Sequence, residues 1–337
     1  GTQNTTLGSG SLTNNSTGNN NTALGFEALN DSTTGDDNTG VGAYALDTNT
    51  TGSQNTACGY HALGDNTTTS QNTAVGYEAL GSNTANYNTA VGRQALASST
   101  TGTRLVAVGN RALYTNSTGD YNTAVGDHSL NANTTGNQNS AFGYYALSAA
   151  TTASWNNAFG EGSLQNTTTG SDNTGFGHRT LQTNTTGSYN TAVGANALDA
   201  ATTASNNTAV GRNSGTAITT GYNNTTMGMS SLSALTTGFA NACFGYSAGG
   251  SISTGANNIC IGRNAGESGS PSGTISTGSD NICLGDNNIN NLYCADTSIS
   301  SSDLRDKTDI TDFTKGLDWI KALRPVTYRW DRRTWYG

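Results

Sequence analysis

The sequence predicts an all-β fold. It reads as a repetitive β-solenoid or β-roll fibre, arranged as a parallel homotrimer, with a short α+β segment at the C-terminus. Three observations carry this reading. A 17-residue phrase recurs from Gly8 to Gly285. The composition is polar yet nearly uncharged, with 33% hydrophobic and 11% charged residues and 44 glycines. The character of the chain then changes abruptly near Ser302.

The repeat comes first, because a fixed period of this length is the signature of stacked architectures. Seventeen glycines head the copies. Fourteen of the sixteen intervals between them are 17 residues, one is 16 and one is 23. The short interval is a deletion at Gly81–Tyr87, and the long one an insertion at Ser268–Thr277 that holds Pro271. The consensus is N-T-A-V-G-x-x-A-L-x-x-N-T-T-G-x-x. The residue before the repeat glycine is apolar in every copy, and the one before that is small. A Leu stands four after the glycine in most copies, such as Leu29, Leu46 and Leu63. An Asn stands four before it in 16 copies, and Leu105 takes its place in the other. Each copy therefore reads as a strand, a glycine kink, a second short strand and a polar turn. The Gly of T-T-G is expected to supply a positive φ there. Equal periods stack identical columns, giving an Asn amide ladder and a Val-over-Val apolar spine. Coils about 4.8 Å apart would make a stack of roughly 80 Å.

Composition excludes several classes. Charge and proline are too scarce for typical disorder. Large apolar residues are too scarce for a conventional globular core. There is no run long enough to cross a membrane. With a net charge of −8, no basic patch offers itself to nucleic acid. Gly1 reads as an internal boundary, since neither an initiator Met nor a leader pattern stands before the first repeat. One or two large apolar residues per coil offset little of the entropy lost in ordering 17 residues. A second apolar surface shared between chains answers that shortfall, hence the expected homotrimer with its spines facing inward. A single-chain solenoid held by its ladders is the alternative.

The C-terminal 35 residues hold eight of the 14 Lys and Arg, and Trp319, Trp330 and Trp335. Thr311 or Asp312 can cap a helix bearing Phe313, Leu317, Ile320 and Leu323. Pro325 ends it, and Val326, Tyr328 and Trp330 alternate as in a strand.

Two resemblances follow from these residues. The repeat resembles the left-handed β-rolls of trimeric autotransporter adhesin heads and, more closely, phage tail-fibre shafts. It covers about residues 1–290. The stretch Ser302-Asp303-Leu304-Arg305-Asp306-Lys307, with Ile310 and Leu323-Arg324-Pro325-Val326-Thr327-Tyr328, resembles the start of the intramolecular chaperone domain of tail spikes and fibres, peptidase family S74. The S-D-x-R-x-K motif is complete, with Asp306 where the family usually has Leu. The resemblance implies a shaft at 1–290, a linker at 291–302 and the beginning of a chaperone domain at 303–337. It further implies trimerisation and self-cleavage at the Ser302–Asp303 bond, with Ser302 as nucleophile and Lys307 as its base. Setting register at one end would suit a repeat whose equal coils allow slips.

The functional expectation is a virion tail fibre that attaches to a host cell, alongside other tail proteins. A trimeric adhesin on a bacterial surface is the second reading, and an ice-binding solenoid with flat Thr-Thr columns the third. Recognition of a cell-surface glycan or protein is assigned to variable columns. Five before the glycine stand Tyr87, Tyr121, Trp155 and Tyr189, and just after it stand Phe26, Tyr60, Tyr77, Tyr144 and Tyr246. These rings could stack on sugars, shield ladder edges or pack between protomers. Cys243, Cys260 and Cys283 share one small column, where Cys reads as a substitute for Ala rather than a disulfide or metal ladder. His61, His128 and His178 have no ligand spacing. No metal and no cofactor is called for, no acid pair for glycoside hydrolysis stands out, and the N-x-T sequons are by-products of the repeat.

Overall fold

The fold is described from a computed structural model, and the residues described are 1–291. Seventeen three-residue strands, from β1 (Thr5–Leu7) to β17 (Ile282–Leu284), form one sheet. Each strand pairs in parallel with the next in sequence. Thr22 lies against Thr39 and Leu24 against Val41, a step of one repeat. The 16-residue interval keeps this register, with Thr73 against Thr89, and so does the 23-residue one, with Ile259 against Ile282. Insertions and deletions are taken up in the turns, because slipping a strand by one residue would turn every side chain to the other face. The unit Gly1–Asn290 is thus an all-β solenoid.

Strand periodicity decides what lies inside. Residues two apart share a face, so the Asn four before each glycine and the small residue two before it point inward. Asn72 and Ala74 are fully buried, as is Leu80 from the following turn. The Val spine exists, but on the outer face of the sheet: Val75, Val91 and Val108 stand 37%, 37% and 36% exposed. Alanine is small enough to let the opposite wall of the coil approach, and Leu fills the remaining width. Where Leu gives way to Gly, the core is refilled from three residues further on. A Cβ on Gly215 would lie 2.9 Å from Ile218 Cδ1, and one on Gly249 would lie 3.1 Å from Ile252 Cδ1. Ile218 and Ile252 occupy a column that holds Asn49, Asn66 and Asn116 in some coils and smaller residues such as Ala150 and Ala201 in others.

The Asn ladder is continuous over long runs. The Asn55 N–H donates to Asn38 Oδ1 at 3.0 Å, and Asn72 N–H to Asn55 Oδ1 at 3.0 Å. Most carboxamides also donate to a turn carbonyl, as Asn38 Nδ2 does to Gly52 O at 2.8 Å, and Asn72 Nδ2 donates to Thr69 Oγ1 at 3.1 Å instead. Buried amides tolerate such a site only when fully paired. Leu105 interrupts the column: it caps nothing above it, so the Asn122 N–H lacks the side-chain acceptor found along the rest of the ladder.

Two expectations are corrected. There is no second strand in the repeat, because residues after the glycine turn instead. Glu27 and Leu29 have φ of 54° and 51°, and the same two positions recur along the stack. A left-handed backbone cannot continue a strand. The T-T-G glycine, in turn, is not needed for positive φ. Gly35 instead allows a close approach: a Cβ there would lie 2.3 Å from the Gly52 carbonyl oxygen of the next coil, and coils that carry Thr69, Ala153 or Ala204 at this position must give way to accommodate it.

Candidate functional site

Ser302, Asp303 and Lys307 lie outside the described residues. The four aromatic candidates lie within them. Tyr87, Tyr121, Trp155 and Tyr189 occupy one column at every second coil, and are 52%, 52%, 53% and 63% exposed. Each sits at positive φ, between 58° and 67°. That conformation throws the side chain outward from the stack. Arg104 stands between the first two. Its guanidinium carbon lies 5.5 Å from the Tyr87 ring centroid and 5.3 Å from that of Tyr121, and Nη1 donates to Tyr121 Oη at 3.1 Å. A cation held against both rings occupies a face of each. Trp155 and Tyr189 are separated by Asp172 and make no ring contact with one another. The structure therefore joins two of the four candidates through Arg104, and none of the four lines the clefts beside Tyr144 and Tyr246.

A second aromatic column follows the repeat glycine. Phe26, Tyr60 and Tyr77 lie in it, and together with Tyr44, from the next position of its own coil, they form a chain of contacts with centroids 5.4, 5.8 and 5.3 Å apart. Arg93 lies 5.9 Å from the Tyr77 centroid. This column also carries Tyr144 and Tyr246, each beside a cleft. The aromatic residues of this edge are visible in the repeat. Their charged partners are not, because they come from neighbouring coils, one repeat away.

The outer sheet face is the third surface. The last residue of every strand, stacked in one column, is apolar from Leu7 to Leu284, and the first, on the same face, is mainly Thr. Phe142, Phe159 and Phe176 stack within it at 4.8 and 5.5 Å. Cys58 lies in this column and is exposed. Cys243, Cys260 and Cys283 face one another across successive strands as free, buried thiols. The hydrogen bond to the Cys260 thiol, and then burial, push Cys243 far above the ordinary thiol range. Such a thiol stays protonated and inert, in keeping with a space-filling role. Among the described residues no group of three His, Cys, Asp or Glu is arranged to hold a metal ion. His128 pairs with Asp127 and stacks on Tyr145, with centroids 5.0 Å apart, and His178 Nε2 lies 3.9 Å from Glu161. Among the described residues no helix is long and apolar enough to cross a membrane.

Comparison with known proteins adds one finding. The Peptidase_S74 family, described as the chaperone of endosialidase, matches residues 302–335. No curated protein and no solved structure matches the chain. Residues 302–335 are therefore similar to the Peptidase_S74 chaperone of endosialidase, and they share a chain with the β-solenoid.

Proposed function

We propose that the chain is part of a phage tail fibre. Residues 1–290 form the shaft, residues 291–302 link it to the chaperone segment, and 303–337 begin that segment. The observation that carries the reading is the combination of a β-solenoid with an S74 match at 302–335. A chaperone that sets register suits a stack whose coils are nearly interchangeable.

The shaft is a parallel homotrimer, and the outer sheet face is where the chains meet. An apolar column spanning the whole stack, half exposed in one chain, is larger than the isolated apolar patches that a lone soluble protein presents. In-register association of three such columns would remove it from water. The chaperone then releases itself by cleavage between Ser302 and Asp303. Ser302 Oγ attacks the carbonyl carbon of the Ser302–Asp303 bond as Lys307 accepts the hydroxyl proton; the C–N bond then breaks, Lys307 returns that proton to the departing Asp303 amine, and water hydrolyses the ester to leave a Ser302 carboxylate. The fibre acts in the virion tail, joined to other tail proteins, and binds a glycan or protein on the host surface.

Two further readings remain distinct. A bacterial surface adhesin would share the trimer and differ in location. An ice-binding solenoid needs free Thr hydroxyls in a flat array. Yet the first Thr of each T-T pair turns its hydroxyl into the stack: Thr33, Thr134 and Thr185 donate to the carbonyl of the next coil at 3.0, 2.9 and 3.0 Å. That observation favours attachment over ice binding.

Intact mass and solution mass of the expressed chain test the proposal together. The expected product is a trimer whose C-terminal fragment begins at Asp303. Continued processing in Ser302→Ala would remove the catalytic assignment, and a monomeric shaft would remove the trimer.

A further inference from the structure

We propose that the cleft between Tyr246, Arg263, Glu267 and Asp286 binds a neutral oligosaccharide. The inference rests on the reading of the chain as an attachment fibre, and it moves the recognition surface from the Tyr87–Tyr189 column to another edge of the stack.

The cleft arises where the period breaks. The insertion at 268–277 folds back over the last strand. Asn287 N–H donates to Gly269 O at 2.6 Å, and Ser270 Oγ donates to Gly285 O at 3.1 Å. This makes one wall. Tyr246, 48% exposed, makes another. The space between them is about 750 Å³, within the usual range of roughly 300–1,000 Å³ for ligand sites. Gly250 keeps the floor open, since a Cβ there would lie 2.8 Å from Glu267 Oε1. The polar groups are held in place. Ser251 Oγ donates to the Glu267 carboxylate, and Asp286, 8% exposed, accepts the Asn288 N–H at 3.0 Å.

These groups match a pyranose ring, which has an apolar C–H face and a rim of hydroxyls. Tyr246 offers a flat apolar surface with a polar tip. The carboxylates accept sugar hydroxyls, while Arg263 and Asn264 donate. One guanidinium faces two carboxylates, so the cleft is net negative and disfavours an acidic sugar or a phosphate. An apolar protein partner would find no apolar floor here.

The same set of residue types recurs on the same edge. A smaller cleft of about 260 Å³ is lined by Tyr144, Tyr145, Glu161, Gln165, Arg179 and Gln182. It opens at Gly162, where the coils on either side carry Tyr145 and Arg179. Tyr144 and Tyr145 meet edge to face at 4.5 Å, and the Gln182 amide donates to Gln165 Oε1 at 2.8 Å. Tyr144 and Tyr246 hold the same position in the repeat, just after the glycine. A Tyr, an Arg and a Glu are thus brought together twice. The Tyr87 and Tyr121 rings, by contrast, are already occupied by Arg104.

The test applies the full chain to a printed panel of neutral and acidic oligosaccharides of known sequence, then titrates the strongest neutral member. Binding to neutral members is expected. Tyr246→Ala and Glu267→Gln should each weaken it by about tenfold or more, with unchanged circular dichroism, and Tyr87→Ala should leave it intact. Failure of every neutral member, preference for acidic ones, or indifference to both cleft variants would overturn the proposal. Adhesion of the full chain to bacterial cells is measured in parallel. Adhesion that persists when the whole panel fails removes the saccharide cleft and leaves the attachment reading standing.

Discussion

Replacing one amide of the buried ladder gives the sharpest test of how the coils hold together. Asn190 is 1% exposed. Its Oδ1 accepts the Asn207 N–H at 3.1 Å, and its Nδ2 donates to Asn173 Oδ1 at 3.0 Å and to Ala204 O at 2.8 Å. In Asn190→Ala, the Asn207 side chain keeps Ser205 O and Gly221 O as acceptors. Asn173 Oδ1 keeps the Asn190 N–H. Two buried backbone groups lose their partners: the Asn207 N–H and the Ala204 carbonyl. Each costs about 1–3 kcal/mol, so the local penalty is about 2–6 kcal/mol. Opening of that coil should rise by a factor between about 30 and 10⁴. Contacts in a stack reach only the neighbouring coils, so the effect should stay local. Hydrogen exchange with peptide resolution measures it. Peptides around residues 190–208 should exchange faster, and those around 38–55 should not. Exchange within about threefold of the parent across 190–208 would refute the claim that the ladder, rather than the Leu column alone, holds a coil shut.

Other outcomes follow from the same geometry. Leu105→Asn restores the acceptor missing beneath Asn122, and exchange of the Asn122 amide should slow by about tenfold; an unchanged rate would contradict the ladder geometry. Gly35→Ala places a methyl 2.3 Å from a backbone oxygen and should cost about 1–3 kcal/mol, since Ala153 and Ala204 show that the column can yield, whereas Gly81→Ala, whose nearest neighbour is at 3.4 Å, should stay within about 1 kcal/mol. Thermal melts of the two variants compare them. Phe159→Asp on the outer sheet face should turn trimer into monomer with the coils intact, read by solution mass and circular dichroism; a persisting trimer would place the interface elsewhere. Asp47 and Asp199 have carboxyl pKa values raised by burial, and each keeps an oxygen without a partner. The folded state then holds its protons to higher pH than the unfolded chain does. The contribution of these two groups to stability therefore falls as pH rises through the window above the ordinary carboxylate value, and returns on acidification. Asp47→Asn with Asp199→Asn should flatten that part of the pH profile of the melting temperature, and an unaltered profile would count against it.

The stacked register was legible because the 17-residue period leaves little choice about which residue lies over which. The Asn ladder and the small column were legible for the same reason. The second strand was misread, because apolar residues after the glycine look like strand residues when φ is unknown. Leu29 carries no sequence mark of its left-handed backbone. It adopts φ of 51° because its N–H must reach the Ala45 carbonyl of the next coil at 3.0 Å. The aromatic candidates were visible as variable columns, but whether a ring faces solvent, an Arg or a cleft depends on neighbours from other coils. The pairing of Tyr246 with Glu267 and Asp286 needed the insertion to be folded before it could be seen.

By itself, the sequence determined that the chain is a solenoid, where its coils begin, and which amides and small residues stack. A repeated period converts directly into repeated contacts, so one dimension of the fold is written in the text. Only the tertiary structure decided which face of each strand is inside, since Ala with Leu and the Val column are equally apolar on paper. The width of the coil settled the matter. Small residues let the walls close to hydrogen-bonding distance, leaving the larger Val and Phe column outside, where it is available to other chains.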